Sequence, residues 1–63
     1  MDLTETELKV LEYVVMDMTS REIADHMGRS VKTIQVHRNN IHRKLGVHKA
    51  TELVKYAIEE KLI

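Results

Sequence analysis

Two glycines and no proline punctuate this chain, and the glycines, Gly28 and Gly46, leave long uninterrupted stretches on either side. A chain with so few breakers folds into a few long elements, each ended where glycine can adopt the left-handed backbone closed to most residues. Between the breaks, apolar residues recur at spacings of three and four, without the alternation of a half-buried strand. The expected class is therefore all-α, with four helices over about 5–17, 20–27, 31–45 and 49–61. At "TETE", Thr4 can cap a first helix and Glu7, three residues on, can return the favour to the cap's own N–H. Leu8, Leu11, Val15 and Met18, widened by Val14, make its expected apolar stripe. "TSRE" repeats the device with Thr19 and Glu22, opening a short helix that buries Ile23, Ala24 and Met27 before Gly28. Ser30 caps a third helix after a connection of about three residues, and Gly46 stops it. A fourth places Leu53, Val54, Ala57 and Ile58 on one side.

With 63 residues, the chain is expected to be one small domain near the lower limit for a single unaided core. Without cysteine, disulfides and thiolate metal sites are excluded, and nothing suggests an oxidising compartment. No apolar run approaches a membrane span, and the start "MDLTETE" is too acidic for a secretion signal. The zero net charge conceals a segregation. Residues 1–25 carry a balance of minus five, whereas from His26 to Thr51 there is no acid, and Arg29, Lys32, Arg38, Arg43, Lys44 and Lys49 stand with all four histidines. Because the balancing acids lie elsewhere in sequence, ion pairs are not expected to consume this block, which has the character of a polyanion-binding surface. A merely solvated basic face is the plainer alternative.

The stretch "SVKTIQVHRNNIHRKLGV" sharpens the choice. Projected at 100° per residue, Ile34, Ile41 and Leu45 fall within about 20° of one direction, which must be the core. Lys32, Val36, Asn39 and Arg43 fall within about 40° of the opposite one, flanked by Gln35 and Asn40. A solvent-facing valine does nothing for helix propensity or for the core. Its neighbours, however, are what a DNA major groove requires: amides for adenine, cations for guanine or phosphate, and a small apolar group for a thymine methyl. A short helix, a tight turn and a longer helix with such a face form a helix-turn-helix.

These residues also carry a family resemblance. "LTETELKVL", "TSREIADHMGRSVKTIQVHRNNIHRKLGV" and "TEL" resemble the DNA-binding domain of LuxR/NarL/GerE-type bacterial transcription regulators, from Leu3 to Ile63. The resemblance implies a cytoplasmic four-helix output domain, usually behind a receiver or ligand-sensing domain, that binds double-stranded DNA as a homodimer through its last helix, with RNA polymerase a further partner. Carried over by position, Gln35, Val36 and Asn39 face bases. Arg21, Lys32, Thr33 and Lys44 meet phosphates, joined by Ser30 and by Arg43 further along. Val54, Ala57 and Ile58 lie at or near the dimer face; because a domain this small needs most of its apolar residues for its own core, the three are expected to divide between core and interface, with Ala57 and Val54 the expected surface pair. The chain departs from the family's habit at Gln35 (Lys or Arg), Thr6 (Arg), Asp17 (Gly) and Ala50 (Arg). No membrane, small molecule, cofactor or metal is implied.

Other residues invite sharper readings that duller ones outweigh. His26, His37, His42 and His48 include no pair at the spacing that puts two ligands on one helix face, so no metal site is expected. His37 reads as a half-buried, hydrogen-bonded structural residue. Arg38 lies about 40° from the core direction, where its stem covers apolar surface and its head reaches out, toward phosphate. Glu7 and Glu22 are explained by capping rather than acid-base chemistry, and no nucleophile with a base or glycine-rich phosphate loop is present, so an enzyme is not expected. The competing class is a protein-interaction module that keeps the helix-turn-helix shape, supported by the fourth helix's apolar face and the neutral total charge. A sigma-factor domain shares the motif, but "LTETE" and "KLGV" favour the regulator.

Overall fold

The local signals for helix starts are realised in atomic detail. In the computed structural model, which describes residues 3–63, four helices follow in order: α1 (Glu5–Val15), α2 (Ser20–Met27), α3 (Val31–Leu45) and α4 (Ala50–Glu59). Glu7 N–H donates to Thr4 Oγ1 at 3.1 Å and Thr4 N–H donates to Glu7 Oε1 at 3.0 Å, closing the first capping box. Thr19 and Glu22 close the second at 3.1 and 2.9 Å, and Ser30 Oγ accepts from Thr33 N–H at 3.1 Å. Each satisfies donors that a helix start leaves without an intrahelical partner. At α4 the cap position is Lys49, which contributes no side-chain bond.

Helix ends divide by residue type. Gly28 and Gly46 stop α2 and α3 in the left-handed conformation, each at φ 67°. α1 and α4 end two residues before the expected positions, because Asp17 (φ 66°) and Lys61 (φ 55°) adopt the same conformation without being glycine. Both ends have the paired bonds of a Schellman motif: Met18 N–H to Tyr13 O at 3.1 Å with Asp17 N–H to Val14 O at 2.9 Å, and Leu62 N–H to Ala57 O at 2.9 Å with Lys61 N–H to Ile58 O at 3.1 Å. Met18 and Leu62, the residues just beyond, pack against the core, which is what holds a non-glycine residue in that strained region.

α1 and α2 both lie on α3, and α4 closes over α1. The core is Val10, Leu11, Val14, Ile23, Ala24, Ile34, Ile41, Leu53 and Ala57. α1 is rotated from the expected stripe: Val10 is fully buried, while Leu8 is exposed and Val15 only partly buried. The reason is Glu7, which is 4% exposed and occupies the core-facing side. Its Oε1 receives Lys44 Nζ from the last turn of α3 at 2.7 Å, so a face that includes a carboxylate is buried in preference to one built of apolar residues alone. Chiefly the Lys44 ammonium, and then the Thr4 backbone N–H, hold the Glu7 carboxyl below its usual 4.5, against the opposing effect of burial. A second link joins α1 to α2, where the Tyr13 and His26 rings meet edge-on at 5.1 Å.

Since the folded Glu7 pKa is depressed, the stabilisation it provides is complete above pH 4.5 and is lost as pH falls through the folded value. Glu7→Gln is expected to lower the unfolding free energy by about 1–2 kcal/mol near neutrality, and urea titrations should show this difference shrinking below pH 4.5. Asp17→Gly, relieving the left-handed aspartate, is expected to raise stability by about 0.5–1 kcal/mol, read as a higher urea midpoint at unchanged slope.

Candidate nucleic-acid interface

α3 presents two unlike faces. Ile34 and Ile41 are fully buried, and Leu45 is partly buried against them. Lys32, Gln35, Val36, Asn39 and Arg43 are exposed, Val36 at 50%. The helix contains no acidic residue. Val36 therefore stands in solvent among amides and cations, where burial cannot account for it.

This face is braced by its own hydrogen bonds. Gln35 Nε2 donates to Asn39 Oδ1 at 3.2 Å, and Arg43 Nη2 donates to Asn40 Oδ1 at 3.1 Å. Ser20 Oγ, from the first turn of α2, donates to Gln35 Oε1 at 3.4 Å and accepts from Arg38 Nη1 at 3.3 Å. One hydroxyl can do both, and it links the two helices of the motif. Sequence reading missed Ser20, since periodicity carries no sign of a contact across helices. It also sent the Arg38 head outward, whereas the guanidinium turns back to α2.

At the start of α3, Ser30 and Thr33 are exposed and coupled, Ser30 Oγ donating to Thr33 Oγ1 at 2.9 Å. Arg21 is exposed at the start of α2. Lys32 makes no ion pair among the described residues, so its charge is available to a ligand. Lys44 differs: its ammonium is held by Glu7, so one cation of the basic block is drawn into an ion pair. Sequence separation concealed this contact, because the partners lie 37 positions apart.

The fourth helix divides its three named residues. Ile58 is 57% exposed and Val54 is partly buried, but Ala57 is fully buried with Leu53. Ala57 is thus not part of a surface pair with Val54; a methyl group small enough to fit beneath α4 sits in the core. His37 is half-buried as expected, yet its Nδ1 is buried with no hydrogen-bond partner among the described residues, contrary to the expectation of a hydrogen-bonded ring. Among the described residues, no group of three or more His, Asp or Glu side chains could hold a metal ion, and no helix is long and apolar enough to cross a membrane.

A short helix joined through Gly28 to a longer helix with an acid-free, amide-rich outer face defines the class of helix-turn-helix proteins. Comparison with known proteins makes this specific: residues 1–57 match the family described as bacterial regulatory proteins, luxR family, and the chain belongs to that family. It is a family of DNA-binding transcription regulators, not of enzymes. The chain is 41% identical over 61 residues to the Fimbriae Z protein of Escherichia coli K12, covering 97% of this chain and 29% of that protein. It is 38% identical over 61 residues to the oxygen regulatory protein NreC of Staphylococcus aureus JH9, covering 97% of this chain and 28% of NreC. Its fold matches the crystal structure of the response regulator ChrA, from a heme-sensing two-component system, with a TM-score of 0.93 at 27% identity, over 100% of this chain and 31% of that one. The chain thus corresponds to under a third of each relative, as an output domain of the LuxR type.

Proposed function

We propose that this domain binds double-stranded DNA in a sequence-specific way, with α3 in the major groove, as the output domain of a bacterial response regulator working in the cytoplasm. The observation that carries the reading is the outer face of α3, where a half-exposed valine stands between Gln35 and Asn39, with Lys32 and Arg43 at its ends and no carboxylate on the helix. Gln35 and Asn39 read base edges and Val36 meets a thymine methyl. To read a base, Gln35 exchanges its bonds to Ser20 and Asn39 for bonds to the duplex.

Phosphates fix the register. Ser30 and Thr33 lie at the N-terminus of α3, whose unpaired N–H groups and positive dipole end favour an anion, and Lys32, Arg21 and Arg43 supply charge around it. Lys44 acts mainly through Glu7, orienting α3, with phosphate contact secondary. A single copy offers little surface, so two copies on adjacent half-sites are proposed, meeting through Ile58 and Val54 of α4 with Ala57 beneath them as packing. RNA polymerase contact belongs to the same reading, at whichever surface two bound copies leave open.

The test compares two variants by fluorescence anisotropy on a panel of duplexes over a range of salt. Lys32→Ala is expected to weaken binding to all sequences and to reduce the salt slope by about one unit. Val36→Ala should keep the slope and lose up to about 0.8 kcal/mol of preference at one thymine-bearing position. A loss for Lys32→Ala that is equal at every salt concentration, or unchanged site preference for Val36→Ala, contradicts these assignments.

A further inference from the structure

At the C-terminal end of α3 a groove of about 420 Å³ opens between the helix and the chain leaving it, walled by Asn39, His42, Arg43, Gly46 and His48. Asn39 also belongs to the outer face of α3, so the groove continues the surface assigned above to DNA. Among the described residues no carboxylate lines it, and its charged or titratable groups are Arg43 and His42 from α3 and His48 from the α3–α4 connection; α1, α2 and α4 contribute nothing to its walls.

His42 gives the groove a definite chemistry. Its Nδ1 lies 2.7 Å from the Val47 carbonyl oxygen, next to Gly46 in the turn that ends α3. A carbonyl oxygen can only accept, so Nδ1 carries the proton and the neutral ring presents a lone pair at Nε2. Nε2 has no bonding partner among the described residues and is not a buried atom. A phosphodiester oxygen is likewise an acceptor without a proton. The two can meet only if Nε2 gains a proton from solvent, which turns the ring into a cation and a donor. A phosphate seated beside Arg43 and the ring supplies the anion that pairs with that charge.

We infer that this groove seats a backbone phosphate of the duplex bound at α3, held by Arg43, His48 and His42, and that seating it is coupled to the uptake of one proton at His42 Nε2. The inference rests on the DNA-binding reading above. It adds a contact at the far end of α3 from Ser30 and Lys32, and it makes affinity for DNA dependent on pH in the range where histidine titrates.

The experiment measures affinity for a duplex of about 20 base pairs, at fixed low salt, between about pH 8 and pH 6. The unmodified domain is expected to bind more tightly as pH falls, by up to about tenfold per pH unit for one proton taken up. His42→Asn keeps an amide N–H near the position of Nδ1 for Val47 and deletes Nε2. It should match the unmodified domain at the alkaline end and lose most of the gain at the acidic end, whereas His26→Asn, outside the groove, should retain the gain. If His42→Asn binds DNA with an unchanged pH response, the groove assignment is overturned while the DNA-binding reading stands. If the unmodified domain shows no salt-sensitive DNA binding at any pH, both fall. Inorganic phosphate alone, followed by NMR of the imidazole resonances, is expected to leave His42 unmoved at duplex concentrations; a shift there would make this a free-anion site and overturn the proposal. Melting curves check that each variant is folded. Should His42→Asn fail to fold, the imidazole resonances of the unmodified domain bound to the duplex carry the test: a His42 ring protonated in the complex and neutral in the free domain at the same pH supports the proposal, and a ring in the same state in both overturns it.

Discussion

The ion pair between Glu7 and Lys44 is the contact on which the arrangement of the helices depends. Glu7 is at once the third residue of α1, the returning half of its capping box and the acceptor for an ammonium from the last turn of α3. One carboxylate therefore fixes where α1 begins, which face it turns inward and where the far end of α3 lies. The Lys44 side chain keeps 26% of its exposure and the Glu7 side chain 5%. The pair is thus sheltered enough for the charges to attract strongly and open enough that the lysine avoids full desolvation. Removing either partner leaves the other beside the core without its counter-charge.

With α3 held along one side by α1 and α2, its opposite side is left to solvent over its whole length. Nothing in the core needs Val36, Gln35 or Asn39, and among the described residues the charges of Lys32 and Arg43 are not drawn into ion pairs. Lys44 is, and it lies toward the α1 side. The division of cations into those that build the domain, Lys44 and Arg38, and those that face outward, Lys32 and Arg43 among them, lets a protein of zero net charge present a positive surface. The Ser20 hydroxyl adds a finer constraint, bonding residues of α3 from the neighbouring helix and so tying the angle of the motif to the conformation of Gln35 and Arg38.

How much of this could be read in advance depended on distance along the chain. The caps at Thr4, Thr19 and Ser30 and the stops at Gly28 and Gly46 involve residues within a few positions of one another, and each was legible. The two-faced character of α3 was legible because its buried and exposed positions differ completely in chemistry. α1 was placed with the wrong rotation, since an apolar count cannot foresee that a lysine 37 residues away makes burial of Glu7 favourable. Asp17 and Lys61 ended helices early because Met18 and Leu62 pack beyond them, a tertiary cause with no local mark. Ala57 was ambiguous for a different reason, as alanine suits a crowded core and an open surface equally. The family resemblance supplied candidate roles for Arg21 and Val54 that no physical pattern in the chain singles out.

Whether the outer face of α3 reads DNA is tested by an amide-shift NMR titration of the labelled domain with a duplex of about 20 base pairs, at low and then at higher salt. Shifts centred on Ser30 to Lys44 that weaken as salt rises are expected, with the Glu7 region moving little. Absence of shifts along α3 at millimolar concentration, or salt-independent shifts confined to α4, would contradict DNA reading by α3 and make Val36 part of a surface for binding protein instead.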